Sequence, residues 1–250
     1  MMKHADPPEI EDLSKDDLLR LVGTALGEVL LHYGLWFAET ARFRGVETAV
    51  EKEHRVLEKY VDTVIKRLGP HLGLTTENGI PRALLEKSEK ELREMLVDIG
   101  RIWLTGDGLW FQEVEATHGM NAAKEVNDSC WHRFAHVEAY KIRQFLGIGP
   151  GAGLEGLCKA LNFRVYSSMN AHSSRWEDDH TLLWTMVDCR VQTARRRKGL
   201  PDYPCKSAGI VEYTHFAQAL DPRITTECVI CPPDAVPEGM YCAWKFRIRD

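Results

Sequence analysis

Four cysteines near the C-terminus have a spacing that could bind zinc. Cys228 and Cys231 form a Cys-x-x-Cys motif, Cys205 precedes it and Cys242 follows it. Four thiolates are a common ligand set for structural zinc, which prefers sulfur in a tetrahedral arrangement. A zinc ribbon normally has two paired ligand sets and this sequence has one, while free cysteines also pack well in apolar cores. Zinc ligation and core packing are therefore both open for these four residues.

A second group of chemically capable side chains lies between residues 107 and 138. It comprises Asp107, Glu113, Glu115, His118, Asn127, His132, His136 and Glu138. The pairs Glu115 with His118 and His132 with His136 have helical spacing, so each pair shares one helix face, as in the carboxylate-bridged metal sites of helical bundles. Charged pairs on a solvated helix have the same spacing. The group predicts either a metal or catalytic site, or an ordinary polar helix surface.

A predicted strand over 181–193 provides a third candidate. Asp188, Arg190 and Gln192 alternate onto one face of this strand, where Arg190 could hold a substrate carboxylate through two hydrogen bonds. Such a polar face would equally suit the solvent side of an antiparallel sheet. Cys189, on the opposite face, and Cys205 are the candidates for a reactive thiol.

An internal repeat organises the elements that must position these residues. The segment from Gly34 to Phe37 reads Gly-Leu-Trp-Phe and recurs from Gly108 to Phe111, and no gap is needed to align the two surrounding segments. We interpret residues 14–148 as a helical region built from two copies of one unit, 14–74 and 88–148, packed face to face as a pseudo-symmetric bundle. The repeated tryptophans, Trp36 and Trp110, are predicted to lie in its core.

The second copy differs from the first in a way that favours a site. Val64 of the first copy is replaced by Glu138 of the second, and Leu57 by Trp131. Polar and aromatic groups gained by one copy are expected if that copy faces a site and the other is a scaffold. Drift on a solvated face would produce the same pattern.

The chain after the glycine-rich linker of residues 147–153 has a different pattern. Helices are predicted near 154–162 and 207–220, and strands at 163–170, 181–193, 224–231 and 240–248. In the last strand Trp244 and Phe246 alternate with Lys245 and Arg247, which indicates a sheet with one covered face. The sequence thus predicts an α+β protein, in which a helical region is followed by a small domain, 154–250, with an antiparallel sheet of about four strands and two helices.

Composition excludes several classes of partner. The chain of 250 residues has 37 acidic and 32 basic side chains, so no positive excess exists to bind nucleic acid. The sequence contains no long uninterrupted apolar run of the length a membrane span requires, and it starts with a polar, acidic segment. We expect a cytoplasmic protein without a membrane partner, whose seven cysteines are thiols, metal ligands or core residues.

Several of these residues also carry a family resemblance over roughly 88–248. They are Leu104-Thr-Gly-Asp107-Gly-Leu-Trp110-Phe, Gly119, Asn127, Glu138-Ala-Tyr-Lys-Ile142, Asp188-Cys189, Cys205 and Asp221-Pro-Arg-Ile224. The pattern resembles a family of uncharacterised prokaryotic proteins that is similar to the L-2-amino-thiazoline-4-carboxylate hydrolase group. The resemblance implies a helical region joined to a small α+β domain. It also implies a hydrolase that opens a cyclic C–N bond in a small sulfur-containing amino acid.

Two function hypotheses follow. In the first, the protein is a small-molecule hydrolase in which Glu138 or His136 is the general base, with or without a metal-bound water. The assisting thiol is Cys189 or Cys205, and the substrate-binding residues are Arg190, Asp107, Trp110 and Asn127. In the second, the protein is a non-enzymatic small-molecule sensor whose helices pair two copies into a homodimer, through a face bearing Trp103, Leu104 and Trp110.

Overall fold

The computed structural model describes residues 9–199 and 201–249. Its helices are α1 (Lys15–Arg44), α2 (Val46–Leu68), α3 (Arg82–Leu85), α4 (Glu89–Leu146), α5 (Gly153–Leu161), α6 (Arg190–Arg197) and α7 (Lys206–Leu220). Its strands are β1 (Thr76–Glu77), β2 (Ile80–Pro81), β3 (Ala171–Asp178), β4 (Thr181–Asp188), β5 (Ile224–Ile230) and β6 (Cys242–Ile248). The predicted α+β class, with an N-terminal helical region followed by a sheet and helices, is confirmed.

The two sequence repeats begin with the same helix cap. Ser14 precedes α1 and its hydroxyl accepts a hydrogen bond from the backbone N–H of Asp17. At the equivalent position Ser88 precedes α4 and accepts from the N–H of Glu91. A serine in this position satisfies one of the free N–H groups of the first helical turn, which explains why each long helix starts there.

The repeats also break at the same place. Gly45 ends α1 with φ 87° and ψ 154°, and Gly119 interrupts α4 with φ 84° and ψ 168°. Gly73 and Gly147 likewise share a left-handed conformation. Side chains other than glycine rarely adopt a positive φ, so the repeated glycines fix where each helix pair turns.

The chain divides into two compact units, Met1–Glu53 and His54–Asp250. The described part of the first unit is mainly α1, and within it the Tyr33 hydroxyl donates to the Glu53 carboxylate at 3.2 Å. In length and composition α1 is suited to crossing a membrane, a property that core helices and signal sequences share.

The second unit contains a four-stranded antiparallel sheet in the order β3-β4-β6-β5. The predicted alternation in β6 is confirmed, because Trp244 and Phe246 are fully buried. Trp184 of β4 lies opposite Trp244, and the Tyr213 ring on α7 packs against both indoles with centroid separations of 5.1 and 4.8 Å. Helix α7 therefore covers one face of the sheet, and its packing sets the position of the residues at its start.

One predicted strand is wrong, and another is right only in its first part. Residues 163–170 form turns and a short 3-10 helix, and the strand begins only at Ala171. The reason is tertiary, because the Val165 N–H donates to the Glu138 carboxylate at 2.7 Å instead of to a neighbouring strand. The predicted strand 181–193 ends at Asp188 and helix α6 follows, so Arg190 and Gln192 do not lie on a strand face.

The prediction that Trp36 and Trp110 lie in the core is also wrong. They are 68% and 73% exposed. Helical periodicity shows which residues share a face, but it does not show whether another element covers that face. The repeated tryptophans instead mark an apolar face that both long helices present to the outside.

Candidate functional site

Three cysteine side chains, Cys205, Cys231 and Cys242, lie together beside the first turn of α7, and we call them the thiol cluster. The sulfur atoms of Cys205 and Cys231 are 3.5 Å apart, and the Cys231 side chain also hydrogen-bonds Cys242. All three are free thiols. The cluster brings together residues from three separate segments, because Cys205 precedes α7, Cys231 follows β5 and Cys242 begins β6.

Short-range contacts hold the two facing segments of the cluster in place. The backbone N–H of Lys206 donates to the Pro232 carbonyl at 2.9 Å, and the Lys206 ammonium pairs with the Asp234 carboxylate at 2.8 Å. That carboxylate also accepts from the Cys231 N–H at 3.3 Å. The chain next to Cys205 is thus tied directly to the chain next to Cys231.

Cys205 is the thiol with the most thiolate character in this cluster. Its sulfur accepts a hydrogen bond from Cys231 and another from the Gln192 side-chain amide at 3.5 Å, and these contacts lower the pKa of Cys205 despite burial. The residue lies at the N-terminus of the 15-residue helix α7, where the helix dipole favours negative charge. Such surroundings are typical of a nucleophilic cysteine.

Two other cysteines, Cys231 and Cys189, have a raised pKa. Hydrogen bonds with Cys205 and Cys242, together with burial, raise the pKa of Cys231. Burial raises the pKa of Cys189 to about 12. Of the two cysteines that the sequence offered as reactive thiols, only Cys205 therefore has surroundings that favour a nucleophile.

Gln192 is a site residue that the sequence placed wrongly. Its side chain is 1% exposed and bonds the backbone of Tyr203 twice, through Nε2 to the carbonyl and from the N–H to Oε1, both at 2.8 Å. These two bonds fix the amide that contacts the Cys205 sulfur. Sequence analysis noted Gln192 as a polar residue but placed it on a strand, whereas it lies on helix α6.

Asp107 and Asn127, both predicted to bind substrate, lie together next to the same segment. The Asn127 amide donates to the Asp107 carboxylate at 3.4 Å, and the Tyr203 hydroxyl donates to the Asn127 carbonyl oxygen at 3.4 Å. Burial raises the pKa of Asp107. Lys124, which the sequence analysis did not single out, donates to the Pro204 carbonyl at 2.6 Å. These contacts connect α4 to the residues immediately before Cys205.

Glu138, a predicted general base, has both carboxylate oxygens occupied. One oxygen accepts from Arg164 Nε at 2.9 Å and Nη2 at 2.6 Å, and the other accepts from the Val165 N–H. Arg164 is 2% exposed, and its guanidinium lies over the rings of Tyr166 and Phe216 at 4.6 and 4.5 Å. This geometry suits a structural ion pair and leaves little room for proton transfer to a ligand.

Glu212 is the second carboxylate of this buried ion pair. It accepts from Arg164 Nη1 and from the Tyr166 hydroxyl, each at 2.5 Å. Burial raises the pKa of Glu212, although Arg164 opposes the shift. Sequence analysis did not select Glu212, because it lies on α7 whereas Glu138 lies on α4, and the two residues share no sequence motif.

We expect Glu212 to make the free energy of unfolding fall as pH rises. A glutamate in the unfolded chain has a pKa of about 4.3, so the folded state holds the Glu212 proton more tightly. That contribution is fully present below the unfolded pKa and is lost as pH rises through the folded pKa. Urea unfolding of Glu212→Gln should therefore depend less on pH than the original chain. An unchanged slope in Glu212→Gln would contradict the assignment.

His136, the other predicted base, belongs to a group of three histidines. Its Nδ1 is 2.8 Å from the His132 carbonyl, and His132 Nδ1 is 2.9 Å from His215 Nε2. The predicted pair on α4 thus gains a third imidazole from α7, which no spacing in the sequence indicated. The histidines of α4 therefore contact α7 through His215, and these hydrogen bonds do not include the thiol cluster.

The remaining predicted site residues are placed as follows. Arg190 is exposed at the start of α6, with its backbone N–H bonded to Asn170, and Trp110 is exposed on α4. Cys228 is half-buried on β5 opposite Trp244. Within residues 9–199 and 201–249, no group of three or more histidine, cysteine or acidic side chains is arranged to hold a metal ion. Of the four cysteines predicted to bind zinc, Cys205, Cys231 and Cys242 hydrogen-bond one another, and Cys228 lies on β5.

Comparison with known proteins gives a family without an assigned activity. A model for DUF6125, described as a family of unknown function, matches residues 84–248, which include α4 and every residue of the thiol cluster. No curated protein and no solved structure gives a significant match. Since the matched range covers well over half of the chain, this protein belongs to the DUF6125 family.

Proposed function

We propose that this protein is a cysteine-dependent hydrolase that opens a C–N bond of a small carboxylate substrate, with Cys205 as the nucleophile. The observation that carries the proposal is the Cys205 sulfur at the start of α7, which accepts hydrogen bonds from Gln192 and Cys231. Thiolates at helix N-termini with such donors are typical cysteine nucleophiles. The proposal includes a relationship to the L-2-amino-thiazoline-4-carboxylate hydrolase group, and this proposed relationship is the source of the substrate class.

In the proposed reaction, residues of the thiol cluster supply the nucleophile and the proton for the leaving nitrogen. The Cys205 thiolate attacks the carbon of the C–N bond, and a C–S bond forms. The C–N bond then breaks, and the departing nitrogen takes the proton that Cys231 holds next to the attacking sulfur. Water cleaves the C–S bond, which restores the Cys205 thiolate and returns a proton to Cys231. Arg190 remains the proposed anchor for the substrate carboxylate, and Glu138 takes a structural role.

The proposal predicts that Cys205→Ser abolishes hydrolysis. Loss of L-2-amino-thiazoline-4-carboxylate is followed by mass spectrometry with the original chain, Cys205→Ser, and Cys158→Ser as the matched control on α5. We expect Cys205→Ser to be slower by roughly a thousandfold or more, as removal of a catalytic nucleophile is, while Cys158→Ser stays near the original rate. Equal rates in the two variants, or no hydrolysis by the original chain, would contradict the proposal.

The exposed apolar residues of α1 support the formation of a homodimer. Pairing of two copies is also part of the alternative hypothesis, in which the protein is a non-enzymatic small-molecule sensor. Eleven large apolar side chains are exposed on α1, and equivalent positions of the repeat have matching exposure, 58% for Val22 and 59% for Leu96. A stable interface buries roughly 800 Å² per partner, which a row of half-exposed large apolar residues can supply. A second copy is the proposed occupant, because each chain carries the same apolar face twice.

Charge placed on this face should separate the two copies. We expect analytical ultracentrifugation to show a dimer for the original chain and a monomer for Trp36→Glu/Trp110→Glu, since each glutamate would have to be buried unpaired. Trp176→Glu, an exposed tryptophan on β3 outside the repeats, is the control and should remain dimeric. A monomeric original chain, including one that instead binds lipid vesicles through α1, would refute the dimer.

A further inference from the structure

We propose that Cys205 and Cys231 form a reversible redox pair, in which a hydroperoxide oxidises Cys205 and Cys231 then closes a disulfide with it. The sulfur atoms are 3.5 Å apart, whereas a disulfide bond is about 2.05 Å long, so side-chain rotation covers most of the approach. The pair stands on this geometry whether or not the protein is a hydrolase.

The two backbones are already held for this closure. The Lys206 N–H donates to the Pro232 carbonyl, and the Asp234 carboxylate is shared between the Lys206 ammonium and the Cys231 N–H. Cysteines brought together in this way have an effective local concentration that no small thiol in solution matches. Closure is therefore expected to be faster than capture of Cys205 by a small thiol.

Exposure decides which thiol reacts first. Cys205 is half-buried, whereas Cys231 is 1% exposed. An oxidant is therefore expected to meet Cys205 before Cys231. Hydrogen bonds from Gln192 and Cys231 favour the thiolate of Cys205, which is the form that attacks a peroxide.

The reaction balances in two steps. The Cys205 thiolate attacks one oxygen of the hydroperoxide, the O–O bond breaks, and sulfur is oxidised to a sulfenic acid while the leaving hydroxide or alkoxide takes the proton of Cys231. The resulting Cys231 thiolate attacks the Cys205 sulfur, the S–O bond breaks and the S–S bond forms. Hydroxide leaves and is protonated to water. A small thiol such as glutathione reverses the change by thiol–disulfide exchange.

Disulfide mapping tests the pair directly. The full chain is treated with hydrogen peroxide, remaining thiols are blocked with N-ethylmaleimide, and peptides are identified by mass spectrometry with and without dithiothreitol. We expect one peptide pair joined through Cys205 and Cys231 that dithiothreitol separates. Any other pairing as the main product, or no disulfide, would overturn the proposal.

Variants separate the two steps. In Cys231→Ser the disulfide should be lost completely, and Cys205 should accumulate as a sulfenic acid that dimedone traps. In Cys158→Ser the disulfide should form as in the original chain. A dimedone adduct on another cysteine of Cys231→Ser, or none, would overturn the order of attack. Mapping of the original chain requires no variant, so a folding defect in Cys231→Ser leaves the test intact.

The outcome of the redox experiment does not depend on the outcome of the hydrolysis experiment. Disulfide mapping does not depend on a substrate, and the hydrolysis assay is run with dithiothreitol present. If hydrolysis is absent but the disulfide forms, the redox pair stands and the hydrolase proposal falls. If both hold, peroxide should stop hydrolysis and dithiothreitol should restore it, because the disulfide removes the nucleophile.

Discussion

Replacing Arg164 with methionine should lower the free energy of unfolding by about 3–5 kcal/mol, the cost of removing one partner from a buried ion pair. The guanidinium binds two carboxylates at once, Glu138 through Nε and Nη2, and Glu212 through Nη1. Methionine has a similar length, so the change removes charge and hydrogen bonds with little loss of volume. Glu138 and Glu212 would then face each other in the interior without a cation.

The measurement is urea unfolding near neutral pH, with Arg196→Met as the control. Arg196 also makes two contacts with one carboxylate, Asp202, but it does so on the surface, where an ion pair contributes little. Adding Glu212→Gln to Arg164→Met should recover part of the loss, because one of the two unpaired charges is then removed. Equal stability of Arg164→Met and Arg196→Met would show that the buried ion pair is not needed.

The same arginine explains one limit of sequence analysis. Residues 163–170 contain Val165 and Tyr166, which favour strands, and the sequence contains no local signal that Arg164 must be drawn inward to Glu138 and Glu212. Its carboxylate partners lie on α4 and α7, far away in the chain. The strand propensity of this segment is overridden by the contacts of Arg164 with Glu138 and Glu212, which are too far apart in the sequence for a short segment to reveal.

Two sequence patterns correspond to features of the structure, whereas the repeated tryptophans, Trp36 and Trp110, are exposed. Gly45 and Gly119 stand at equivalent positions of the repeat and have the same backbone conformation, since only glycine tolerates it. Alternation in β6 located the buried face at Trp244. Both patterns are local: a glycine marks the first, and the alternation of apolar and polar residues marks the second.

The candidate site was predictable only in part. The spacing of Cys205, Cys228, Cys231 and Cys242 predicted either a zinc site or core packing, and three of the four, Cys205, Cys231 and Cys242, hydrogen-bond one another in the structure. Their protonation could not be read from spacing, because it depends on the start of α7 and on Gln192, which reaches Cys205 from another helix. The sequence identifies the cysteines, whereas the fold determines the hydrogen bonds and burial of each one.

The position of Cys205 depends on one glycine of α7. Gly209 is buried against the Trp244 indole, and a methyl group added there would lie 2.5 Å from Cζ2 and 2.9 Å from Cη2. The indole is fully buried and its N–H donates to the Cys242 sulfur at 3.3 Å, so it cannot move aside freely. Gly209 therefore sets how closely the first turns of α7 approach β6.

We expect Gly209→Ala to lower the free energy of unfolding by about 1–3 kcal/mol, the usual cost of overpacking a core. Gly106→Ala is the matched control, because Gly106 is also a helical glycine but has open space where the methyl group would go. That change should stabilise the protein by roughly 0.5–1 kcal/mol through helix propensity. The two variants thus differ in sign, and urea unfolding distinguishes them.

The same substitution also tests the link between packing and chemistry. If α7 must shift to admit the methyl group, Cys205 moves relative to Gln192 and Cys231, and its alkylation by N-ethylmaleimide at neutral pH should change rate in Gly209→Ala but not in Gly106→Ala. A destabilised Gly209→Ala with an unchanged alkylation rate would mean that the thiol cluster is held by the Lys206 and Asp234 contacts alone. Stability equal to that of Gly106→Ala would contradict the close approach of α7 to Trp244.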